Sequence, residues 1–296
     1  MRRTSILSTL AVAVAVGTTA ACVPPTGPGP APGNPATDCA TRARSGGALS
    51  VVGLVADGTL ACFSAGAPGQ VTIVGTITGL DQDASIVGMD YRPANDTLYA
   101  VGNAGGVYTV DAGTATVSLV SRLNQPLQGS AFGVDFNPTV DRLRIVSDAG
   151  QNLRANVDDG TTTVDGVLNI PGTPPVSPAV GVTAVAYTNN DADPSTATTL
   201  FDIDTANDNT VIQAPANAGS LSPTGKLGVD AAGAVGFDIY RDQRDGVTVG
   251  HDALASVAIA DGTTALYRID LLTGRASNVG AFSQAVVDIA IPTAQH

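Results

Sequence analysis

Apolar and polar residues alternate along most of the chain with the strand period of two rather than the helical 3.6. The runs are five or six residues long, as in Thr97-Leu98-Tyr99-Ala100-Val101 and Gly106-Val107-Tyr108-Thr109-Val110. Turn dipeptides such as Asp57-Gly58, Ala149-Gly150, Asp159-Gly160, Asp261-Gly262 and Thr273-Gly274 separate them. This punctuation predicts many short strands joined by tight turns. One motif recurs, a small residue, an apolar residue, Asp, an apolar residue and then a turn. It stands at Gly88–Arg92, Gly133–Asn137, Gly236–Tyr240 and Val286–Ala290, with a degenerate copy, Ala184–Thr188, that has Ala186 at the Asp position. Successive copies are spaced 45, 51, 52 and 50 residues apart. That spacing suits one four-stranded propeller blade per repeat.

The ends of the array complete the pattern. Val286–Ile291 reads as an innermost strand with nothing after it, and Leu49–Ala56, Thr59–Ser64 and Val71–Thr76 read as outer strands with no inner strand before them. Pairing the two ends builds one blade from both termini and removes the open edges of the array. The expectation is an all-β, five-bladed β-propeller closed by N- and C-terminal strands. A six-bladed ring is the fallback, because Val164–Pro178 and Gln213–Gly228 lose the alternation.

Composition agrees with this pattern and adds a location. All 26 acidic residues are Asp, the bases are 13 Arg and Lys226, and there is no Trp; Gly (34) and Pro (18) are abundant. Good helix formers are thus scarce and turn formers plentiful. A net charge of −12 argues against nucleic acid as a partner, since phosphate neutralisation needs clustered Lys and Arg. Arg2 and Arg3, the apolar run Ile6–Val16 and the small residues that follow read as a signal peptide over residues 1–21. Ala20-Ala21-Cys22 resembles a bacterial lipobox, with Thr19 where an aliphatic residue is usual; the alternative is ordinary cleavage nearby, leaving Cys22 a thiol. Residues 22–45 would then be a lipidation site and tether, for Val23–Thr37 holds six Pro and three Gly. Residues 46–292 would be the propeller. With Cys22 lipidated, Cys39 and Cys62 form an even pair, and a disulfide between them is expected in an oxidising compartment.

The stretch Ala131–Asp148, together with Gly150-Gln151-Asn152-Leu153-Arg154 and Ala186-Tyr187-Thr188-Asn189-Asn190, resembles the bacterial domain-of-unknown-function family 4394 over roughly residues 50–290. The resemblance implies an exported, propeller-like domain without an assigned activity.

Three constellations could carry chemistry. Asp90, Asp135, Asp238 and Asp288 repeat at one inner-strand position. They either ring the channel, where carboxylates could hold a divalent cation, or accept main-chain N–H bonds that lock blade to blade. The polar cluster Asp135, Asn137, Arg142, Arg144, Asp148, Asn152 and Arg154 is asymmetric and is the candidate ligand site; its arginines could take a carboxylate or phosphate, or pair with neighbouring Asp. The run Asn189–Asp193, followed by Asp202, Asp204 and Asp208, fits Asx turns better than an EF-hand, whose Gly and Glu it lacks. His251 stands outside any nucleophile motif. The nearest enzymatic propellers, glycosidases, usually rely on Glu and on aromatic sugar platforms, and this chain has no Glu, no Trp and only twelve aromatic residues. The functional expectation is a non-enzymatic, monomeric, envelope-tethered or secreted module that binds a protein or small-molecule ligand, touching membrane only through its lipid. No catalytic residue, metal or cofactor is assigned, Ca²⁺ being the one cofactor considered. The alternative is a hydrolase or lyase using channel aspartates, with or without Ca²⁺.

Overall fold

The computed structural model describes residues 48–172, 178–193, 195–245, 247–259 and 261–295. The proposed signal peptide, Cys22, the tether and Cys39 lie outside them. Strands β1 (Ser50–Val55), β2 (Thr59–Ser64) and β3 (Thr72–Thr76) come first. Blade 1 is β4 (Ile86–Arg92), β5 (Thr97–Gly102), β6 (Gly106–Asp111) and β7 (Thr116–Arg122). Blade 2 is β8 (Phe132–Asn137), β9 (Arg142–Ser147), β10 (Asn152–Ala155) and β11 (Thr162–Val164). Blade 3 is β12 (Val182–Tyr187), β13 (Leu200–Asp204), β14 (Asn209–Gln213) and β15 (Leu221–Lys226). Blade 4 is β16 (Ala231–Arg244), β17 (Val247–Ile259), β18 (Thr264–Ile269) and β19 (Ala276–Ala281). The last strand, β20 (Val286–Ala290), pairs with β1 and completes blade 5 in the order β20-β1-β2-β3.

All five sheets are antiparallel meanders, and their inner strands β4, β8, β12, β16 and β20 neighbour one another in sequence order, β20 returning to β4. The expected five-bladed ring closed by both ends is therefore what forms, and the six-bladed fallback is not. Segment 213–228 supplies no extra blade: Leu221–Lys226 is the outermost strand of blade 3. Its Pro223 is tolerated because an outer strand needs no N–H toward solvent. Strands β16 and β17 run on past the length of the other inner strands, with Arg241 opposite His251.

The period-two pattern has a direct consequence for packing. Each strand sends alternate side chains to the two neighbouring blades, so the core is five seams between blades. Tyr99 and Phe136 meet edge-to-face at 5.4 Å in the seam between blades 1 and 2. Val146, Val185, Tyr187 and Val211 fill the next seam, Phe201, Ile203, Phe237 and Ile239 the one after.

Near the axis these seams narrow until only glycine fits. A Cβ on Gly133 would lie 2.6 Å from the main chain at Ala184 and Val185 of the next blade, and one on Gly236 2.5 Å from Asp288 Cα. The glycine of the repeated Gly-x-Asp is thus the point of close approach between inner strands. Gly133→Ala should lower stability by about 1–3 kcal/mol, as overpacking of a tight core does. Gly250→Ala, where nothing lies within 4 Å, should stay within about 0.5 kcal/mol of wild type. Urea denaturation of both variants checks this, and equal losses would contradict it.

Candidate functional site

Each inner strand is an edge strand of its sheet, so half of its N–H groups face the axis without a ladder partner. The repeated aspartates answer that need. Asp90 accepts the N–H of Tyr91 (2.7 Å) through Oδ1 and that of Phe136 in the next blade (2.8 Å) through Oδ2. Asp135 Oδ1 accepts from Tyr187 of blade 3 (3.0 Å). Asp238 accepts from Ile239 (2.6 Å) and, across the seam, Ile291 (2.6 Å); Asp288 accepts from Ile289 (2.9 Å) and from Met89 of blade 1 (2.8 Å). Four of the five seams are stapled this way. The fifth, between blades 3 and 4, has Ala186 at the aspartate position. There Asn190 Nδ2 donates to Ile239 O (3.2 Å) and Arg241 pairs with Asp191 (2.5 Å).

The staples bring like charges together. Carboxylate oxygens of Asp90, Asp135 and Asp238 lie within 4.8 Å of one another, with each residue at most 3% exposed. Burial, then the neighbouring Asp238 charge, pushes Asp90 well above the usual carboxylate range. Asp135 is raised by burial and by Asp90 and Asp238. Burial lifts Asp238 to about 6 against its two N–H bonds, and Asp288 to about 8. Asp288 alone is partly exposed, and it borders a cavity of about 200 Å³ where the inner strands begin, beside Ser85, Ser130 and Phe132.

The second candidate site resolves differently from its expectation. Arg144 and Arg154 face each other across β9 and β10 and both bond Asp165, at 2.7 and 3.1 Å. Arg144 is 1% exposed; its remaining donors go to Asn152 Oδ1 (2.7 Å), Asn217 Oδ1 (2.7 Å) and Tyr187 Oη (3.4 Å). Burial raises Asp165, but the hydrogen bonds from Arg154 and Arg144 outweigh it and hold the carboxyl low. The cationic charge is therefore answered from within. Removing one partner of such a buried pair costs about 3–5 kcal/mol, because the other is left uncompensated.

Of the sequence-predicted cluster, the structure gathers Arg144, Asn152 and Arg154. The rest bond elsewhere, although Asp135 stands opposite Arg144 on the neighbouring strand. Asp135 is at the axis, and Asn137 Oδ1 caps the β8–β9 turn through the N–H groups of Thr139 and Val140. Arg142 donates to Asp141 O, and Asp148 accepts from the N–H and hydroxyl of Ser130. Asp165, Asn217 and Gln213 complete the network and were not singled out from the sequence. Beside it, a cavity of about 220 Å³ is lined by Gln125, Gln128, Gln151, Asn152, Asp165 and Val164. One of its side-chain amides is already set, since Gln151 accepts from the main-chain N–H of Gln128 (2.9 Å) and donates to Pro126 O (2.9 Å). The Asp-rich run forms local turns, with Asp191 and Asp193 each accepting from the N–H two residues on. His251 is exposed, against Asn189 Oδ1 at 2.8 Å.

A family model described as a domain of unknown function (DUF4394) matches residues 59–290. No curated protein matches the chain. Among solved structures, one of unknown function from Bacteroides thetaiotaomicron is 15% identical, with 78% of this chain and 58% of that one covered and a TM-score of 0.45. An auxiliary nutrient binding protein from Bacteroides ovatus is 12% identical over 76% of this chain and 57% of that one, with a TM-score of 0.37. The major allergen Mala s 1 of Malassezia sympodialis is 14% identical over 60% and 50%, at 0.37. This chain thus spans 58% of the first structure and little more or less of the others.

The axial carboxyls make stability depend on pH. Their folded pKa values lie above the unfolded value of 3.8, so their contribution is complete below about pH 4 and is lost as pH rises through about 6 and about 8. Asp148 and Asp165 are lowered instead, and their contribution is lost as pH falls below the unfolded value. In buffer with chelator, the urea midpoint should peak near about pH 5 and decline toward pH 3 and pH 9. A midpoint that climbs steadily from pH 5 to 9 would contradict the raised carboxyls.

Proposed function

The chain belongs to the DUF4394 family, and from that premise we propose that it is a non-enzymatic binding module held at the cell envelope. The observation that carries the reading is the cavity over Asn152 and Asp165. Its floor is fixed by the buried Arg144 network, so the site is formed before a ligand arrives and little ordering entropy is spent on closing it. Its walls are amides with Pro126, Val164 and Val167, and its one carboxylate is taken up by two arginines. That chemistry suits an uncharged ligand with hydrogen-bonding groups and a modest apolar face. A free carboxylate or phosphate finds no unpaired arginine there.

The cavity, the axial cavity and a third beside Asp57 and Ile86 all open at the end where the inner strands begin. This end is the binding face in our reading. The tether supports the same reading: residues 22–45 would hold the propeller off the membrane through lipidated Cys22, with a Cys39–Cys62 disulfide fastening the tether to buried Cys62 on β2.

Two experiments test the proposal. Neutral oligosaccharides and unstructured uncharged peptides, screened by thermal shift, should include a stabilising class whose effect Gln128→Ala and Val164→Asp weaken at least tenfold in affinity without lowering the melting temperature of the free protein. Absence of any such class, or conversion of a probe to product, would overturn the non-enzymatic binding reading. Separately, Cys22→Ser should move the protein from the membrane fraction to the medium or soluble envelope fraction; unchanged membrane retention would remove the lipid anchor.

A further inference from the structure

We propose that Asp90, Asp135 and Asp238 form an axial site for one hard divalent cation, Ca²⁺ in particular, with Asp288 at its entrance. Three oxygens within 4.8 Å of one another fit a single coordination sphere, because Ca–O distances of about 2.3–2.6 Å place even opposite ligands about 5 Å apart. An acidic cluster alone would be weak ground, and two further features point to a ligand.

The first is an unanswered oxygen. Asp135 is 1% exposed, its Oδ1 takes the Tyr187 N–H, and its Oδ2 has no hydrogen-bond partner. Buried oxygens are rarely left so, and a cation or a proton must meet this one. The second is an opening close by. The cavity of about 200 Å³ at the mouth is bordered by Asp288, whose Oδ2 accepts the N–H of Met89, one residue from Asp90.

The surroundings favour a cation further. What acts on these four carboxyls is burial, main-chain N–H groups and one another. Arg144 stands opposite Asp135 across the strand pair, yet its donors are given to Asp165, Asn152 and Asn217. Tyr91, the other titratable group beside Asp90, is kept neutral by burial. The main-chain bonds also fix each carboxylate's direction, so that ligation needs no rearrangement. An all-oxygen set without His or Cys selects Ca²⁺ or Mg²⁺ over Zn²⁺, and Ca²⁺ tolerates an irregular ligand set that the strict octahedron of Mg²⁺ does not.

The test is calorimetric titration of Ca²⁺ into the full chain after EDTA treatment, with thermal melts alongside. Wild type should bind one Ca²⁺ per chain and melt roughly 5 °C or more higher at a hundredfold excess over the dissociation constant. Asp135→Asn keeps the acceptor for Tyr187 and should bind at least tenfold more weakly, while melting no lower than wild type in EDTA. Asp193→Asn, in the exposed turn of the other Asp-rich segment, should bind as wild type does. Binding absent from wild type, kept in D135N or lost in D193N would overturn the proposal. Should D135N not fold, wild type decides: a stoichiometry other than one Ca²⁺ per chain, or a melting temperature that Ca²⁺ does not raise, overturns the site.

Discussion

The bond between an inner-strand carboxylate and a main-chain N–H of the next blade is what the rest of the molecule depends on. Sheet hydrogen bonds hold each blade together but stop at its inner edge, and apolar packing between blades has no direction. The aspartates supply direction, since a short acceptor-only side chain can meet a neighbouring strand's free N–H at fixed register. Glutamate would carry one more rotatable bond into a seam where even a methyl group on Gly133 or Gly236 does not fit. The choice of Asp over Glu, and of Gly two residues earlier, follows from the same narrow space.

This solution has an electrostatic cost. Seven N–H groups are satisfied, but three of the four carboxyls converge where solvent cannot screen them, with Asp288 at the edge. Structural and functional readings of the ring are therefore not rivals. The N–H bonds explain why each carboxyl is there, and the convergence explains why something positive, proton or metal ion, has to accompany them. The cavity over Asn152 rests on the opposite arrangement. Its two arginines share Asp165 inside the fold, and what lines the opening is mostly amide and apolar.

Much of this was legible in the sequence. The motif spacing and the mismatched ends were sufficient for five blades and their closure, because blade length and strand period are local properties. The outer strand Leu221–Lys226 was not, since a solvent-facing edge containing Pro223 and Gly225 has no reason to alternate. Nor was the β16–β17 extension, where Val247 and Val249 alternate in plain view but belong to no repeat. The Arg144 network escaped for another reason. Asp165 and Asn217 are 21 and 73 residues away, and both lie in segments without a pattern; only the ring brings them to one arginine. The sequence showed which aspartates were equivalent, and the geometry showed that equivalence around an axis means proximity.

The unstapled seam between blades 3 and 4 explains the long hairpin beside it. With Ala186 on the axis, the fastening has moved along the strands to Asn190, to Asp191 with Arg241, and to Asn189 with His251 on the extended strands. This seam is therefore fastened beyond the ends of the repeat, where side chains of one inner strand's turn meet the prolonged inner strand of the next blade. The hairpin is long because its first part has to reach the residues that take over from the missing carboxylate.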